Sequence, residues 1–298
     1  MALKHRRIVI IILIILGILA LGPALYTLRS PVLMVVDDEF TGLYGFHRSW
    51  VKQIEISLKL FRRLKVVQIA GGASPDVVAF AAVEAAARPY AALFPFAYRQ
   101  GARRYAEESP GIPVGVVGGD PRTQFSEEDG LVFIKTDKTG DLYRAGRCAA
   151  LFARSNGGNI LFFTGELVDW NDKDAFLKGL RDQGFDNSPI FVDKGEDYTL
   201  PKELSCIIMA RAVENYPEDS PSVPMIIFSW VDPGVTAREI KVIFDDSPWA
   251  LAAVAAKTLH RGGEMAPVSS EILVLKDRIG DAEILRDIQK AIKDKEGD

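Results

Sequence analysis

Apolar runs of four to eight residues alternate with amphipathic stretches along most of this chain, and the alternation predicts strands and helices in turn. "PVLMVV" (31–36) reads as a strand. Leu43, Phe46, Trp50, Ile54, Leu58 and Phe61 then recur at helical spacing, which predicts a helix to about Leu64 with that stripe facing inward. "KVVQIA" (65–70) is a second strand, and Ser74-Pro75 opens an alanine-rich helix running to Arg88. "YAALFPF" is a third strand, followed by a short helix in "YRQGARRYAEESPG". "IPVGVV" (112–117) and "LVFIKT" (131–136) are the fourth and fifth, and a helix starts near Thr139.

In "NILFFTGELVDWNDKDAFLKGLRDQG" a strand ends at Thr164-Gly165-Glu166. The helix after it puts Phe176, Leu177 and Leu180 inward, and Gly184 stops it. "PIFVDKG" (189–195) is a strand, "LPKELSCIIMARAVENY" reads as helical, and "MIIFSW" (225–230) and "EIKVIF" (239–244) are strands. "SPWALAAVAAKTLHRGG" is a capped helix, "SEILVLKD" a last strand, and Asp281 to Lys295 a solvated terminal helix. Strand-loop-helix units in series predict an α/β fold with parallel sheets, whose ligands sit at the carboxyl ends of the strands.

The amino end changes the picture of where this fold sits. Lys4, Arg6 and Arg7 precede an apolar run from Ile8 to about Tyr26. That is an export signal, either a cleavable signal peptide or an uncleaved anchor. Its length is close to the roughly 17–25 residues of a membrane span, so an anchor is expected, with everything after about residue 30 outside the cytoplasm. No Cys stands next to the end of the run, which excludes a bacterial lipid anchor. The net charge of −4 and the lack of a basic stripe exclude a nucleic-acid binder.

Cys148 and Cys206 are the only cysteines and have no metal-ligand spacing, so both are expected as buried thiols of one lobe. His5, His47 and His260 are scattered, and no metal site is expected. No strand end carries GxGxxG or GK[ST], so neither a dinucleotide nor a nucleoside triphosphate is expected, and no cofactor. "VLMVVDDEF" resembles the start of a response-regulator receiver domain, but the strand "AALFPF" lacks the phosphate-accepting Asp of that family, which leaves Asp37 and Asp38 as polar residues at a strand end. Glu166, Asp169, Asp120, Asp232, Asp245 and Asp246 all fall near strand ends. Nothing in the sequence ties two of them into an acid–base pair, so an enzyme using cleft carboxylates is the least favoured alternative.

The order of elements resembles the type 1 periplasmic-binding-protein fold, the superfamily of ribose and galactose receptors and LacI-like regulators. The likeness spans about 31–279 and rests on "KVVQIAGGASPDVVAFAAVEAA", "GIPVGVVGGDPR", "TDKTGDLYRAGRCAALFA", "GGNILFFTGE…FLKGLRDQG" and "KVIFDDSPWALAAVAAKTLHRGG" in the family's order. It implies two Rossmann-like lobes with parallel sheets behind one N-terminal hydrophobic helix. It implies 1–30 as signal or anchor, 31–136 with 245–265 as the first lobe, 137–244 with 266–280 as the second, and 281–298 as a C-terminal helix and tail.

The resemblance further implies that a small polar ligand, sugar-like or nucleoside-like, is held between the lobes for an ABC-type permease or a membrane sensor, without being turned over. By position it assigns Phe40, Tyr44, Asp120, Arg122, Trp170, Trp230, Asp232 and Asp245 to the cleft. The aromatic members supply rings and the others polar contacts. The ligand motif is degenerate: Trp230 stands where the family usually has an Asp, and the 169–172 loop has no Arg. A ligand other than a free sugar, or a ligand-free structural or interaction module, is the alternative this implies.

Overall fold

In a computed structural model the described residues are 26–37, 49–118, 130–165, 168–211, 213, 223–228, 239–259 and 267–293. The apolar run after Pro31 becomes β1 (Val32–Asp37), and Val32 to Val36 are all buried. A strand buried on both faces needs helices on both, which is the economy of a parallel sheet. β2 (Leu64–Ile69), β3 (Ala91–Pro95), β4 (Val114–Val117) and β5 (Leu131–Ile134) join it in a five-stranded sheet of order β2-β1-β3-β4-β5. Every pairing in it is parallel.

One face of this sheet packs on α2 (Pro75–Ala85) and α3 (Arg99–Glu108), through Val78, Ala79, Ala102 and Tyr105 against Leu33, Val35 and Phe94. Its other face meets α1 (Ser49–Leu60) and α6 (Pro248–Leu259). Ile56, Trp249, Leu251 and Ala252 there pack on Met34, Leu93 and Val117.

The second sheet has six strands in the order β11-β10-β9-β8-β6-β7. These are β6 (Asn159–Phe163), β7 (Ile190–Val192), β8 (Leu204–Met209), β9 (Met225–Phe228), β10 (Ile240–Asp245) and β11 (Glu271–Val274). Only β11 runs antiparallel among these pairings. It is flanked by α4 (Lys138–Asn156), α5 (Trp170–Asp182) and α7 (Ala282–Ala291), with Phe162, Phe163, Ile207, Phe228 and Phe244 at the centre of its core. Cys148 and Cys206 are both buried free thiols in that core, and burial pushes the Cys148 thiol up to about 12.

α4 and α5 lie unusually close, because each presents a glycine to the other's backbone. A Cβ on Gly146 would stand 2.2 Å from the Phe176 carbonyl oxygen, and one on Gly179 would stand 2.1 Å from that of Tyr143. Both helices are capped as their sequences suggest. Asp137 accepts from the Gly140 amide at 3.1 Å, and Asp169 and Asp172 form a reciprocal capping box.

Three chain crossings tie the sheets together. Thr136 and Val268 form an isolated parallel bridge, the Asp137 amide donates to the Val268 carbonyl at 2.8 Å, and the Val268 amide donates to the Lys135 carbonyl at 2.9 Å. The third crossing, after β10, is linked to the first through Thr136 Oγ1 and Asp246 Oδ2 at 3.4 Å. Nearby, buried Lys52 of α1 reaches Glu271 of β11 at 2.9 Å and Glu55 at 3.3 Å. Burial alone would lower the Lys52 ammonium's pKa, but the two carboxylates outweigh it and raise it.

Three local expectations are corrected. "LPKELSCIIM" is not helical: Leu204–Met209 is a strand between β6 and β9, buried at all six positions. A continuous apolar run of this length carries no period to separate the two conformations. The α1 stripe is inverted: Lys52, Ile56 and Ser57 face inward, and Trp50, Ile54, Leu58 and Phe61 face out. Ser57 is held there by the Leu64 amide, which donates to its hydroxyl at 3.0 Å. The terminal helix is not wholly solvated, since Ile288 and Ala291 are buried in the second core and α7 packs on α4.

Candidate functional site

The carboxyl edge of the first sheet ends in a buried carboxylate. Asp37 closes β1, and the Tyr98 hydroxyl donates to its Oδ2 at 2.5 Å. Tyr98 lies in the 3-10 turn Phe96–Tyr98 that follows β3, and β1 and β3 are neighbours, so strand order alone brings the two together. A cavity of about 380 Å³ opens beside them, bordered by Gly72, Pro75, Arg99 and Gly101 as well. The first turns of α2 and α3 border it too, so it meets the electropositive ends of two helices.

The carboxyl edge of the second sheet carries a cationic cluster. The Thr164 hydroxyl, just after β6, donates to Asp193, which follows β7. Lys173 of α5 donates to the same carboxylate at 2.9 Å, and Arg211, after β8, donates to the Asp193 carbonyl at 3.2 Å. The hydrogen bonds from Thr164 and Lys173, and the charges of Lys173 and Arg211, hold the Asp193 carboxyl below its ordinary range. Trp170 opens α5 beside this edge with 79% of its surface exposed.

The fold is similar to that of solved structures. A transcriptional activator of the comK gene from Bacillus halodurans matches with a TM-score of 0.56 at 12% identity, over 89% of this chain and 96% of that one. A solute-binding protein of an ABC transporter system from Conexibacter woesei matches with a TM-score of 0.55 at 12% identity, over 89% of this chain and 95% of that one. This is the type 1 periplasmic-binding-protein fold. No protein-family model matches the sequence, and no curated protein matches it.

In this type 1 periplasmic-binding-protein fold a buried polar cluster sits where α4 meets the segment before β11. Asp141, in the first turn of α4, is buried and accepts from the Ser270 amide at 3.3 Å, from the Ser270 hydroxyl and from Arg144. Arg144 also reaches the Ser269 hydroxyl at 3.3 Å. Burial pushes the Asp141 carboxyl up to about 7, against the pull of Ser270 and Arg144 and with a smaller push from Asp246.

Of the eight residues assigned to the cleft from sequence, Phe40, Tyr44, Asp120, Arg122, Trp230 and Asp232 lie outside the described residues, as does the apolar run before Tyr26. Trp170 stands at the carboxyl end of β6. Asp245 ends β10 but is only 2% exposed, and it accepts from the Ser247 amide at 3.0 Å. That bond shapes the turn into α6, where Ser247 in turn accepts from the Ala250 amide at 3.3 Å.

Sequence reading missed Tyr98, Arg99, Thr164, Lys173, Asp193 and Arg211. The signal was there for Thr164 and Asp193, each the first polar residue after an apolar run. Among the described residues no helix is long and apolar enough to cross a membrane, and no group of three His, Cys, Asp or Glu is placed to hold a metal.

Proposed function

We propose that this chain is an extracytoplasmic solute-binding protein that holds a small polar ligand, sugar-like or nucleoside-like, between its two lobes without chemical change. Delivery to a permease or report to a membrane sensor follows from that capture. The observation that carries the reading is the pair of polar strand ends. Asp37 with Tyr98 offers a carboxylate and a phenol on one lobe, and Lys173 with Arg211 offers donors on the other. A ligand with several hydroxyls has donors and acceptors for both. Buried or closing polar groups gain most when each is matched, at about 1.5–3 kcal/mol for a hydrogen bond to a charged group. Trp170 supplies an exposed ring that a sugar or base face can stack on.

The test is a thermal-shift screen of the full chain against pentoses, hexoses, nucleosides and polyols, repeated with variants. Asp37→Asn is expected to weaken a true ligand about tenfold or more. Trp170→Ala is expected to weaken it several-fold, from loss of about 0.5–1.5 kcal/mol of stacking. A ligand that binds both variants and Lys173→Ala as tightly as the native chain would place the site elsewhere.

A further inference from the structure

The outward stripe of α1 is an exposed apolar feature of the described surface that the ligand site leaves unused. Trp50 is 57% exposed, Ile54 52%, Leu58 70% and Phe61 43%. Trp50, Ile54 and Leu58 recur at intervals of four along α1, a ridge roughly 12 Å long at about 1.5 Å of rise per residue, and Phe61 follows at its end. The ridge is too short to span a bilayer and long enough to lie along one.

Its carboxyl end is where the chain arrives from the amino terminus. The Tyr26 ring meets Phe61 edge-on at 6.0 Å, and the Arg29 guanidinium lies over the same ring at 4.9 Å. Arg62 donates to the Ser30 carbonyl at 3.1 Å. Tyr26 is also the last residue of the apolar run that begins at Ile8. The segment expected to enter a membrane therefore ends in contact with the foot of the ridge. Arg29, Arg62 and Arg63 gather at that end, as cationic side chains do beside a phospholipid surface.

From this we infer that Trp50, Ile54, Leu58 and Phe61 rest in the headgroup region of a phospholipid bilayer, so that α1 lies on the membrane beside the segment Ile8–Tyr26. The inference rests on the reading that this segment anchors the chain. Size separates a bilayer from a second copy of the chain as the occupant. Four partly exposed side chains offer on the order of a few hundred Å², against roughly 800 Å² per partner in a stable dimer. A headgroup layer demands no such area, because the anchor already holds the helix at the surface. Trp at the apolar–polar boundary is also the residue type that interfaces select.

The experiment uses the full chain in vesicles of phosphatidylcholine and phosphatidylglycerol whose acyl chains are brominated near the headgroup. Flotation reports the anchor, and quenching of tryptophan emission reports the ridge. Trp50 is one of four tryptophans, so the expected quenched share is about a quarter of the emission, and Trp50→Phe is expected to abolish it while the protein still floats. Protein that floats with its emission unquenched overturns the placement and leaves the anchor intact. Protein that stays at the bottom overturns the anchor, and the placement with it. Leu58→Cys copies that cross-link to each other at high lipid dilution assign the ridge to a second copy and overturn the bilayer; Cys148 and Cys206, both buried, do not compete for the reagent.

Discussion

Gly146→Ala is expected to destabilise the second lobe by about 3 kcal/mol, at the upper end of overpacking costs. Glycine in a helix interior is ordinarily a liability, and alanine there gains up to about 1 kcal/mol. Here the sign reverses. The added methyl of Gly146→Ala would sit 2.2 Å from the Phe176 carbonyl oxygen and 3.1 Å from its carbon. Those are backbone atoms in the middle of α5 and cannot swing away. Relief requires α4 and α5 to part, which loosens the cores on both sides of them, including Phe176 and Leu180.

Gly179→Ala meets the Tyr143 backbone in the same way, at 2.1 Å. Because one separation relieves both clashes, the double variant should cost less than the two singles added. The check is a thermal melt. A fall of roughly 6–12 °C for either single variant agrees with the close approach, whereas a rise, the ordinary result of removing a helical glycine, would show that the helices are further apart.

Asp141 should give the protein a stability that falls as the pH rises from about 4 to about 7. Its carboxyl keeps its proton up to about 7 in the folded chain and loses it near 3.8 when unfolded. Between those values the folded state binds more protons, so raising the pH favours unfolding, and the slope vanishes above and below the window. The full effect is of order 4 kcal/mol. The groups that act on this carboxyl are Arg144 from its own helix, Ser270 from the segment before β11, and Asp246 from the crossing after β10.

Asp193 and Glu55 shift downward, so their contributions are present above the ordinary carboxylate pKa and are lost on acidification. The comparison of native protein with Asp141→Asn isolates the one group: the difference between their unfolding free energies should change across pH 4 to 7 and stay level outside it. Identical pH profiles would mean that Arg144 keeps Asp141 ionised throughout. Asp141→Ala is a harsher change than Asp141→Asn, because it also removes the side-chain atoms that Arg144 and Ser270 bond to.

The alternation of strands and helices was legible because parallel strands buried on both faces read as unbroken apolar runs, as Val32 to Val36 do. The same property hid β8, since "LSCIIM" is apolar throughout and its length fits either conformation. Period showed that residues 49–60 are helical, but period says nothing about which face meets the protein. The pairing of Lys52 with Glu271, 219 positions away, settles that, and no local pattern contains it.

The candidate site followed the same division. The strand-loop-helix context alone puts Trp170 at the head of the helix after β6, where the structure has it. Lys173, Asp193 and Arg211 could not, because they meet only through the order β8-β6-β7, and reading β8 as helix removed Arg211 from any strand end. Tyr98 and Asp37 likewise meet through the pairing of β1 with β3.

The crossing after β10 has a consequence for the order in which the molecule can be completed. The first sheet has all its strands by Ile134, yet the helix that covers Leu93 and Val117 begins only at Pro248, about 110 residues later. At a synthesis rate of roughly 5–20 residues per second, that face waits about 6–23 s with its apolar side chains uncovered. The second lobe, by contrast, draws its strands almost entirely from the stretch made during that wait. The lobe that is begun first is therefore closed only after most of the other has been made, and whatever escorts the growing chain has to shield the β3–β4 face throughout the interval.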